Sequence, residues 1–112
     1  KKFMVAWEKK HPDRLPTPYA SQSYDTALAI GAALKQVKGN LSSNEAFRTA
    51  MLKADFQSVR GAFKFGNNQH PIQDFYLIKG ISRPNGEVDM LIQKKVFEKH
   101  KDAYYQDCKM PW

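Results

Sequence analysis

Two apolar stretches on either side of a tight-turn sequence constrain the fold of this chain more than any other feature. The turn is RPNG at residues 83–86; its proline and asparagine suit the centre of a tight turn, and its glycine readily takes a positive φ. Residues 74–82 contain an unbroken apolar row, and residues 87–96 alternate apolar with polar side chains. The pattern predicts a β-hairpin over about residues 74–96.

Helical spacing of apolar residues predicts two helices at the start of the chain. Residues 2–11 have an apolar side and a basic end that suits the negative pole of a helix dipole, and Pro12 ends the pattern. Residues 12–22 hold three prolines and predict a stiff, extended connector. The second helix is predicted to begin with Ser23 as its N-cap and to stop at Gly39.

The predicted second helix has one acidic and one glycine position that bear on its packing. Asp25 falls in its first turn, where a carboxylate suits the positive end of the helix dipole. Gly31 weakens the helix by roughly 1 kcal/mol relative to alanine, so we expect another backbone to approach closely there. The apolar stripe consists of Ala27, Ile30, Leu34 and Val37. This stripe is therefore the expected buried face.

The rest of the chain predicts a third helix, a strand and a short terminal helix. Ser42 and Glu45 match the S-x-x-E capping box and predict a helix start. Apolar and other residues alternate over 59–65, which predicts a strand. Residues 98–108 are polar and predict a short helix after the hairpin.

The balance between helices and strands indicates an α/β fold that lacks part of its sheet. Three amphipathic helices need a sheet to cover, and one short strand offers too little of it. The chain of 112 residues, 42% of them hydrophobic, has neither an initiator methionine nor a signal peptide. We therefore expect that Lys1 lies inside a longer protein, and that the isolated chain self-associates or is poorly stable.

The charge pattern favours a solvated surface over a nucleic-acid interface. The net charge is +7, but lysines and arginines never occur more than two in a row, and acidic residues are interspersed among them. A basic nucleic-acid-binding module, which would use lysines for phosphates and tyrosines for stacking, is an alternative hypothesis. The interleaved acids and the absence of a known nucleic-acid-binding motif count against it.

The sequence gives no indication of an enzyme or a cofactor. The three histidines lie far apart and have no histidine or cysteine partner at metal-ligand spacing, so no metal site is predicted. Phosphate-binding, dinucleotide-binding and nucleophile-elbow motifs do not occur. Cys108 is the single cysteine; it is either an inert thiol or the partner of a cysteine outside this sequence.

Three sequence segments in a definite order resemble a known family. They are PYASQSYDTALAIGAAL, FQSVRGAFKFGNNQHP and IQDFYLIKGISRPNGEV. Together they are similar to the C-terminal part of type I periplasmic solute-binding proteins of ABC transporters, the branched-chain amino acid binding proteins. The wording NNQHPIQDFYLIKG most resembles a branch associated with small aromatic carboxylates. The resemblance covers nearly the whole chain but only the end of a family member.

The resemblance implies a division of the chain between two lobes of a three-layer α/β/α architecture. Residues 1–65 would end the N-terminal lobe, residues 66–73 would form the third hinge crossover, and residues 74–112 would end the C-terminal lobe. Gly66, Asn67 and Asn68 would be the hinge residues, because lobe closure needs positions that absorb changes in φ and ψ. An ordinary β-turn is the alternative interpretation of this segment.

The resemblance also implies where a ligand would lie. Tyr19 matches a position where the family places an aromatic residue against the ligand, and Ala20, Ser21 and Gln22 are its neighbours. An aromatic side chain supplies a large apolar contact with a polar tip. The alternative is that Tyr19 is a surface aromatic residue after Pro18. Tyr24 is expected to pack at the start of the helix.

The function implied by the resemblance is extracytoplasmic solute binding for transport. The expected ligand is a branched-chain amino acid or a related small, including aromatic, carboxylate, and the expected partner is the membrane permease of an ABC transporter. The expected location is the periplasm, with no nucleic-acid partner and no cofactor. A ligand-sensing domain of a receptor shares the same binding fold and is a further alternative.

Overall fold

The computed structural model describes residues 2–53 and 55–110 and divides the chain into two compact units between Phe63 and Lys64. The helices of the first unit are α1 (Lys2–Lys10), α2 (Pro18–Gln36) and α3 (Asn44–Lys53). The strands of the second unit are β1 (Lys64–Phe65), β2 (Pro71–Ser82) and β3 (Val88–His100). The expected mixed α/β composition is confirmed.

Helix α1 ends as the sequence predicts and packs through its aromatic residues. Lys9 and Lys10 occupy its last turn, before Pro12. The Phe3 ring lies 5.1 Å from the ring of Tyr24 on α2, between ring centroids. The packing role expected for Tyr24 is therefore present, and it brings α1 against α2.

Helix α2 begins six residues earlier than predicted, so the connector is shorter and Ser23 is not its N-cap. Thr17 is the N-cap, and its hydroxyl accepts a hydrogen bond from the backbone N–H of Ala20 at 3.4 Å. Pro18 occupies the first helical position, where its fixed φ suits a helix and its missing N–H costs nothing. The predicted end is confirmed, because Gly39 has φ +74° and donates from its N–H to the Leu34 carbonyl at 2.9 Å.

The helix–helix core uses a face of α2 next to the predicted one. The buried residues of α2 are Asp25, Ala29 and Ala33, four residues apart, and Ala50 is the buried residue of α3. Alanines at these positions let the two helix backbones approach. In the predicted stripe Ala27 and Ile30 are exposed, whereas Leu34 and Val37 are half-buried. The close approach expected at Gly31 is wrong, because a Cβ there would meet no atom within 4 Å outside its own helix backbone.

Helix α3 is capped by the serine after the predicted one. The Ser43 hydroxyl accepts from the N–H of Ala46 at 3.2 Å, while Ser42 bonds to the Asn40 side chain. Glu45 lies in the first turn, where its charge suits the positive end of the helix. The capping signal thus identified the helix, but its start is shifted by one residue.

The predicted hairpin is confirmed and is longer than expected. Strands β2 and β3 pair antiparallel around the turn at 83–86, and Gly86 has φ +84°. The Arg83 N–H donates to the Glu87 carbonyl at 2.7 Å and closes the turn. The sheet order is β1-β2-β3, with β1 antiparallel to β2.

Two predicted elements next to the hairpin are wrong. The strand expected over 59–65 is reduced to β1, because residues 58–60 bond to a side chain on α2 instead of to a neighbouring strand. The helix expected over 98–108 is absent: its first three residues belong to β3, and the following ones form turns. Long strand pairing with β2 therefore overrides the local helical tendency.

Both faces of the hairpin are apolar and exposed. The paired register places five large apolar side chains on each face, and each is 41–60% exposed. One face has Tyr76, Ile78, Val88, Met90 and Ile92, and the other has Phe75, Leu77, Ile81, Leu91 and Phe97. Strands with two apolar faces are typical of sheets that are covered on both sides.

Within the described residues, no helix is long and apolar enough to cross a membrane.

Candidate functional site

The residues predicted to contact a ligand lie in the first two turns of α2, and we call residues 18–22 the Tyr19 turn. The Tyr19 side chain is 76% exposed, Gln22 is also exposed, and Ala20 is half-buried. The Ser21 hydroxyl donates to the Pro18 carbonyl at 2.7 Å, which occupies that side chain within the helix. Tyr19 and Gln22 are three residues apart and thus share one side of the helix.

An exposed tyrosine near the start of a helix can do two things for a ligand. Its ring offers an apolar surface with a polar tip. The neighbouring helix start is the positive end of the backbone dipole, which favours a negatively charged group. The Tyr19 turn thus combines two features that suit an amphipathic anion.

Asp25 is the most buried polar residue among those described, and the sequence did not predict its role. Its side chain is 2% exposed on the inner side of α2. One carboxylate oxygen accepts from the Ser58 hydroxyl at 2.6 Å and from Arg60 Nε at 2.8 Å. The other accepts from the Val59 backbone N–H at 2.8 Å. Asp25 thus binds three consecutive residues that lie more than thirty positions later; we call these four residues the Asp25 cluster.

Opposing effects set the charge state of Asp25. Burial is the largest single effect and raises its pKa, but the hydrogen bonds from Ser58, Arg60 and Val59 and the positive charge of Arg60 lower it more. The net result is a pKa below the usual 3.8, so the carboxylate is ionised at neutral pH. A charged acceptor makes these hydrogen bonds stronger than neutral ones.

The Asp25 cluster continues into aromatic contacts at the end of the first unit. The Arg60 guanidinium carbon lies 5.5 Å from the centre of the Phe63 ring, and the Phe63 ring lies 5.2 Å from that of Phe56. The Ser58 hydroxyl also accepts from the Arg60 backbone N–H at 3.0 Å. Residues 58–60 are therefore bonded to α2, and Phe63, the residue before β1, contacts Arg60.

The three predicted hinge residues lie in a hydrogen-bonded turn between β1 and β2. The N–H of Gly66 donates to the His70 carbonyl at 2.8 Å, and the N–H of Gln69 donates to the Gly66 carbonyl at 3.0 Å. Gln69 has φ +60°, in the left-handed backbone region that residues other than glycine rarely adopt. The bend at this position is thus a defined turn.

The asparagines of this turn bind the segment that follows β3, an arrangement we call the asparagine clamp. Asn67 Nδ2 donates to the Tyr105 carbonyl at 2.6 Å, and Asn68 Nδ2 donates to an Asp102 carboxylate oxygen at 2.8 Å. The Asn68 side-chain oxygen accepts from the His70 N–H at 3.2 Å. The side chains of residues 67 and 68 therefore cross-link the turn to the end of the second unit.

A groove of about 350 Å³ lies beside the asparagine clamp. Its lining includes the apolar side chains of Phe65 and Ile72 and the basic residues Lys64 and Lys101. The Lys101 ammonium lies 4.8 Å from the centre of the Tyr105 ring. Lys101 thus already has an aromatic contact at the edge of the groove.

The described residues do not bring together the elements of a metal centre. In the ranges 2–53 and 55–110, no group of three histidine, cysteine, aspartate or glutamate side chains could hold a metal ion. The His100 ring lies 5.4 Å from the ring of Phe75 and 4.9 Å from that of Phe97, so it packs in an aromatic group. Cys108 is half-buried and forms no disulfide bond with the described residues.

Comparison with known proteins identifies a family over most of the chain. A family model with the description "Periplasmic binding protein" matches residues 1–85 of the 112. The matched range contains the Tyr19 turn, the Asp25 cluster and the asparagines of the clamp. Neither the curated proteins nor the solved structures gave a match.

Proposed function

Because the chain belongs to the periplasmic binding protein family, in which proteins bind solutes outside the cytoplasm, we propose that it forms the C-terminal part of the substrate-binding component of an ABC transporter. The proposed ligand is a branched-chain amino acid or a related small carboxylate, including aromatic ones. The family is typically not enzymatic, and we infer no catalytic role. The proposed location is the periplasm, and the proposed protein partner is the membrane permease.

The observation that supports this proposal most is the extent of the family match. It runs without a break from α1 through the turn at 66–70 and the whole of β2. The two apolar faces of the hairpin add a second argument, since such strands are typical of a sheet between two helical layers. Further segments of a two-lobe α/β protein would supply those layers.

We place the ligand contact at Tyr19, Ala20 and Gln22. Tyr19 is exposed and at the start of α2, where its ring can cover the apolar part of a ligand. Gln22 shares its side of the helix and can donate or accept a hydrogen bond. The carboxylate clamp of the ligand would come from segments outside this sequence.

We place the hinge at Gly66, Asn67 and Asn68, within a crossover at 66–73 between lobes that comprise 1–65 and 74–112. The division into compact units falls close by, between Phe63 and Lys64. Lobe closure concentrates changes in φ and ψ in a few positions at such a boundary. The hydrogen bonds of the turn at residues 66–70 would then be those of one of the two lobe arrangements, open or closed.

The test is calorimetric titration of the full-length protein with branched-chain amino acids and small aromatic carboxylates. Tyr19→Ala removes the ring and is expected to weaken binding by roughly 1–3 kcal/mol, the scale of one large apolar contact. This corresponds to about one to two decades in Kd. Tyr104→Ala is the matched control, because Tyr104 is 73% exposed in the C-terminal turns.

Two results would contradict the proposed function. If the wild-type protein binds no member of the ligand panel, the proposed ligand class is wrong. If Tyr19→Ala and Tyr104→Ala have the same affinity as wild type for a ligand that binds, the Tyr19 turn does not line the site.

A nucleic-acid role is the rival explanation of the net charge of +7. Several basic side chains are already paired with acids: Arg60 with Asp25, Arg83 with Asp89, and Lys95 with Asp74. These acids interrupt the basic surface that a phosphate backbone would need, and we infer weak binding with no preference for sequence. Submicromolar binding of a short DNA duplex at physiological salt, with a steep salt dependence, would favour the rival.

A further inference from the structure

Asp25 lies on the same helix as the Tyr19 turn and contacts residues near the end of the first unit. Asp25 follows Tyr19 by six residues on one continuous helix, a rise of about 9 Å along the axis. Its carboxylate is 2% exposed and accepts hydrogen bonds from Ser58, Val59 and Arg60. One rigid element thus joins the proposed ligand contact to a distant segment of the chain.

A buried charge is not needed merely to stabilise this contact. Well-packed apolar residues of similar size often stabilise a protein as well as a buried ion pair does, because removing charges from water is costly. What a buried and fully hydrogen-bonded carboxylate adds is a defined geometry, since its donors must occupy fixed positions around it. The arrangement at Asp25 therefore indicates a need to place residues 58–60 accurately.

Much of the segment held by Asp25 is exposed to solvent. Val59, Gly61 and Ala62 are exposed, and Ser58 and Arg60, which contact Asp25 directly, are half-buried. The segment ends at Phe63, next to β1 and three residues before Gly66. If 58–63 were released, six residues could extend by up to roughly 20 Å.

We propose that Asp25 is a positioning residue that holds residues 58–63 on α2 and so couples the Tyr19 turn to the crossover at 66–73. The coupling part of this inference rests on the proposed function, whereas the positioning part does not. A displacement of α2 on ligand binding is passed to residues 58–63 through the carboxylate, and from Phe63 along the chain to β1. Without the carboxylate, the loosened segment absorbs that displacement.

The positioning role is tested by amide hydrogen exchange in the chain itself. Asp25→Asn keeps the size of the side chain but removes its charge and replaces one acceptor by a donor. We expect the exchange of the Val59 and Arg60 amides to accelerate tenfold or more, and that of the α3 amides to change less. Ala33→Gly is the control, because it weakens the buried face of α2 without touching the Asp25 cluster.

Single-donor variants keep the test decisive if Asp25→Asn does not fold. Ser58→Ala and Arg60→Met each remove one donor to Asp25 and should accelerate exchange in 58–63 by smaller factors. If in every variant that folds the exchange of 58–63 rises no more than that of α2 and α3, the positioning role is wrong.

The coupling role is tested in the full-length protein with the tightest ligand of the titration panel. We expect Asp25→Asn to weaken binding about tenfold and to reduce the ligand-induced decrease in the radius of gyration by X-ray scattering. Ala33→Gly should lower thermal stability with neither effect. Wild-type affinity and closure in Asp25→Asn would overturn the coupling. A null result for Tyr19→Ala would instead count against the proposed function, and the exchange data would still decide the positioning role.

Discussion

Asn68→Ala distinguishes a side-chain clamp from a backbone hinge at the turn after β1. The backbone of Asn68 is not among the positive-φ positions, so alanine can adopt its conformation without strain. The substitution removes two hydrogen bonds, one to the Asp102 carboxylate at 2.8 Å and one from the His70 N–H at 3.2 Å. Any effect on stability therefore reports the side chain alone.

The expected loss follows from the types of the two hydrogen bonds. A hydrogen bond to a charged group contributes about 1.5–3 kcal/mol, and a neutral one contributes about 0.5–1.5 kcal/mol. Asn68 and Asp102 are half-buried, and His70 is exposed, so water can reach the groups left behind and the lower limits apply. We expect a loss of about 2 kcal/mol, which raises the population of the open state roughly 30-fold.

Native-state hydrogen exchange measures this loss where it occurs. The amides of Gly66 and Gln69 report the turn, and that of Tyr105 reports the segment after β3, since each donates a backbone hydrogen bond there. All three should exchange roughly 30-fold faster in Asn68→Ala under conditions of rapid reclosing. Gln106→Ala is the control, because its exposed side chain lines the same groove and bonds to its neighbour Tyr105, not to the turn at 66–70.

Exchange within about twofold of wild type would refute the clamp. The side chain of Asn68 would then contribute little, and the backbone tolerance expected of a hinge residue would be the better account. An equal acceleration of amide exchange in Gln106→Ala would also refute the clamp, because loss of any groove side chain would then have the same effect as loss of the Asn68 hydrogen bonds.

Three further predictions concern the core, α2 and the hairpin. Asp25→Asn should lower the free energy of unfolding by about 2–3 kcal/mol, measured by urea unfolding followed by helical circular dichroism. Because the folded-state pKa of Asp25 is lowered, the difference from wild type should be constant well above pH 3.8 and shrink as the pH falls below it. A difference that grows with acidification would contradict the assigned charge state. Gly31→Ala should stabilise α2 by up to about 1 kcal/mol, since a Cβ there meets no atom within 4 Å, and a lower melting temperature would show that α2 is covered at this point. The isolated chain should self-associate through its exposed hairpin in analytical sedimentation, and Ile92→Lys, at a position 60% exposed, should reduce this association. A strict monomer with a sharp thermal transition would count against the proposal that other segments cover the two hairpin faces.

Local chemistry alone was enough to predict several elements. The RPNG turn and the apolar strands beside it predicted the hairpin, because turn geometry and strand pairing there involve neighbouring residues. Pro12 and Gly39 predicted where the first two helices end, since each acts through its own backbone freedom. The family resemblance stated from the sequence was confirmed at the level of the periplasmic binding protein family.

Helix starts were harder to predict because several residues competed for the same role. Thr17, Ser23, Ser42 and Ser43 can all cap a helix, and the local pattern favoured Ser23 and Ser42 over the observed caps Thr17 and Ser43. In the structure, the buried alanines of α2 and α3 lie where the two helices pack together. This packing also turned the buried face of α2 toward Ala29 and Ala33, away from Ala27 and Ile30.

The tertiary structure alone decided the contacts between residues distant in sequence. The sequence predicted that Asp25 would lie in the first turn of a helix, where the helix dipole favours a carboxylate. Its hydrogen-bond partners instead lie at residues 58–60, and no local sequence pattern predicts them. The same contacts took residues 59–63 out of the predicted strand. Likewise, pairing with β2 extended β3 through residues with helical tendency, and the asparagines at 67 and 68 bound Tyr105 and Asp102. These contacts depend on loop closure over more than thirty residues in the Asp25 cluster and the clamp, so they form only when the chain is folded as a whole.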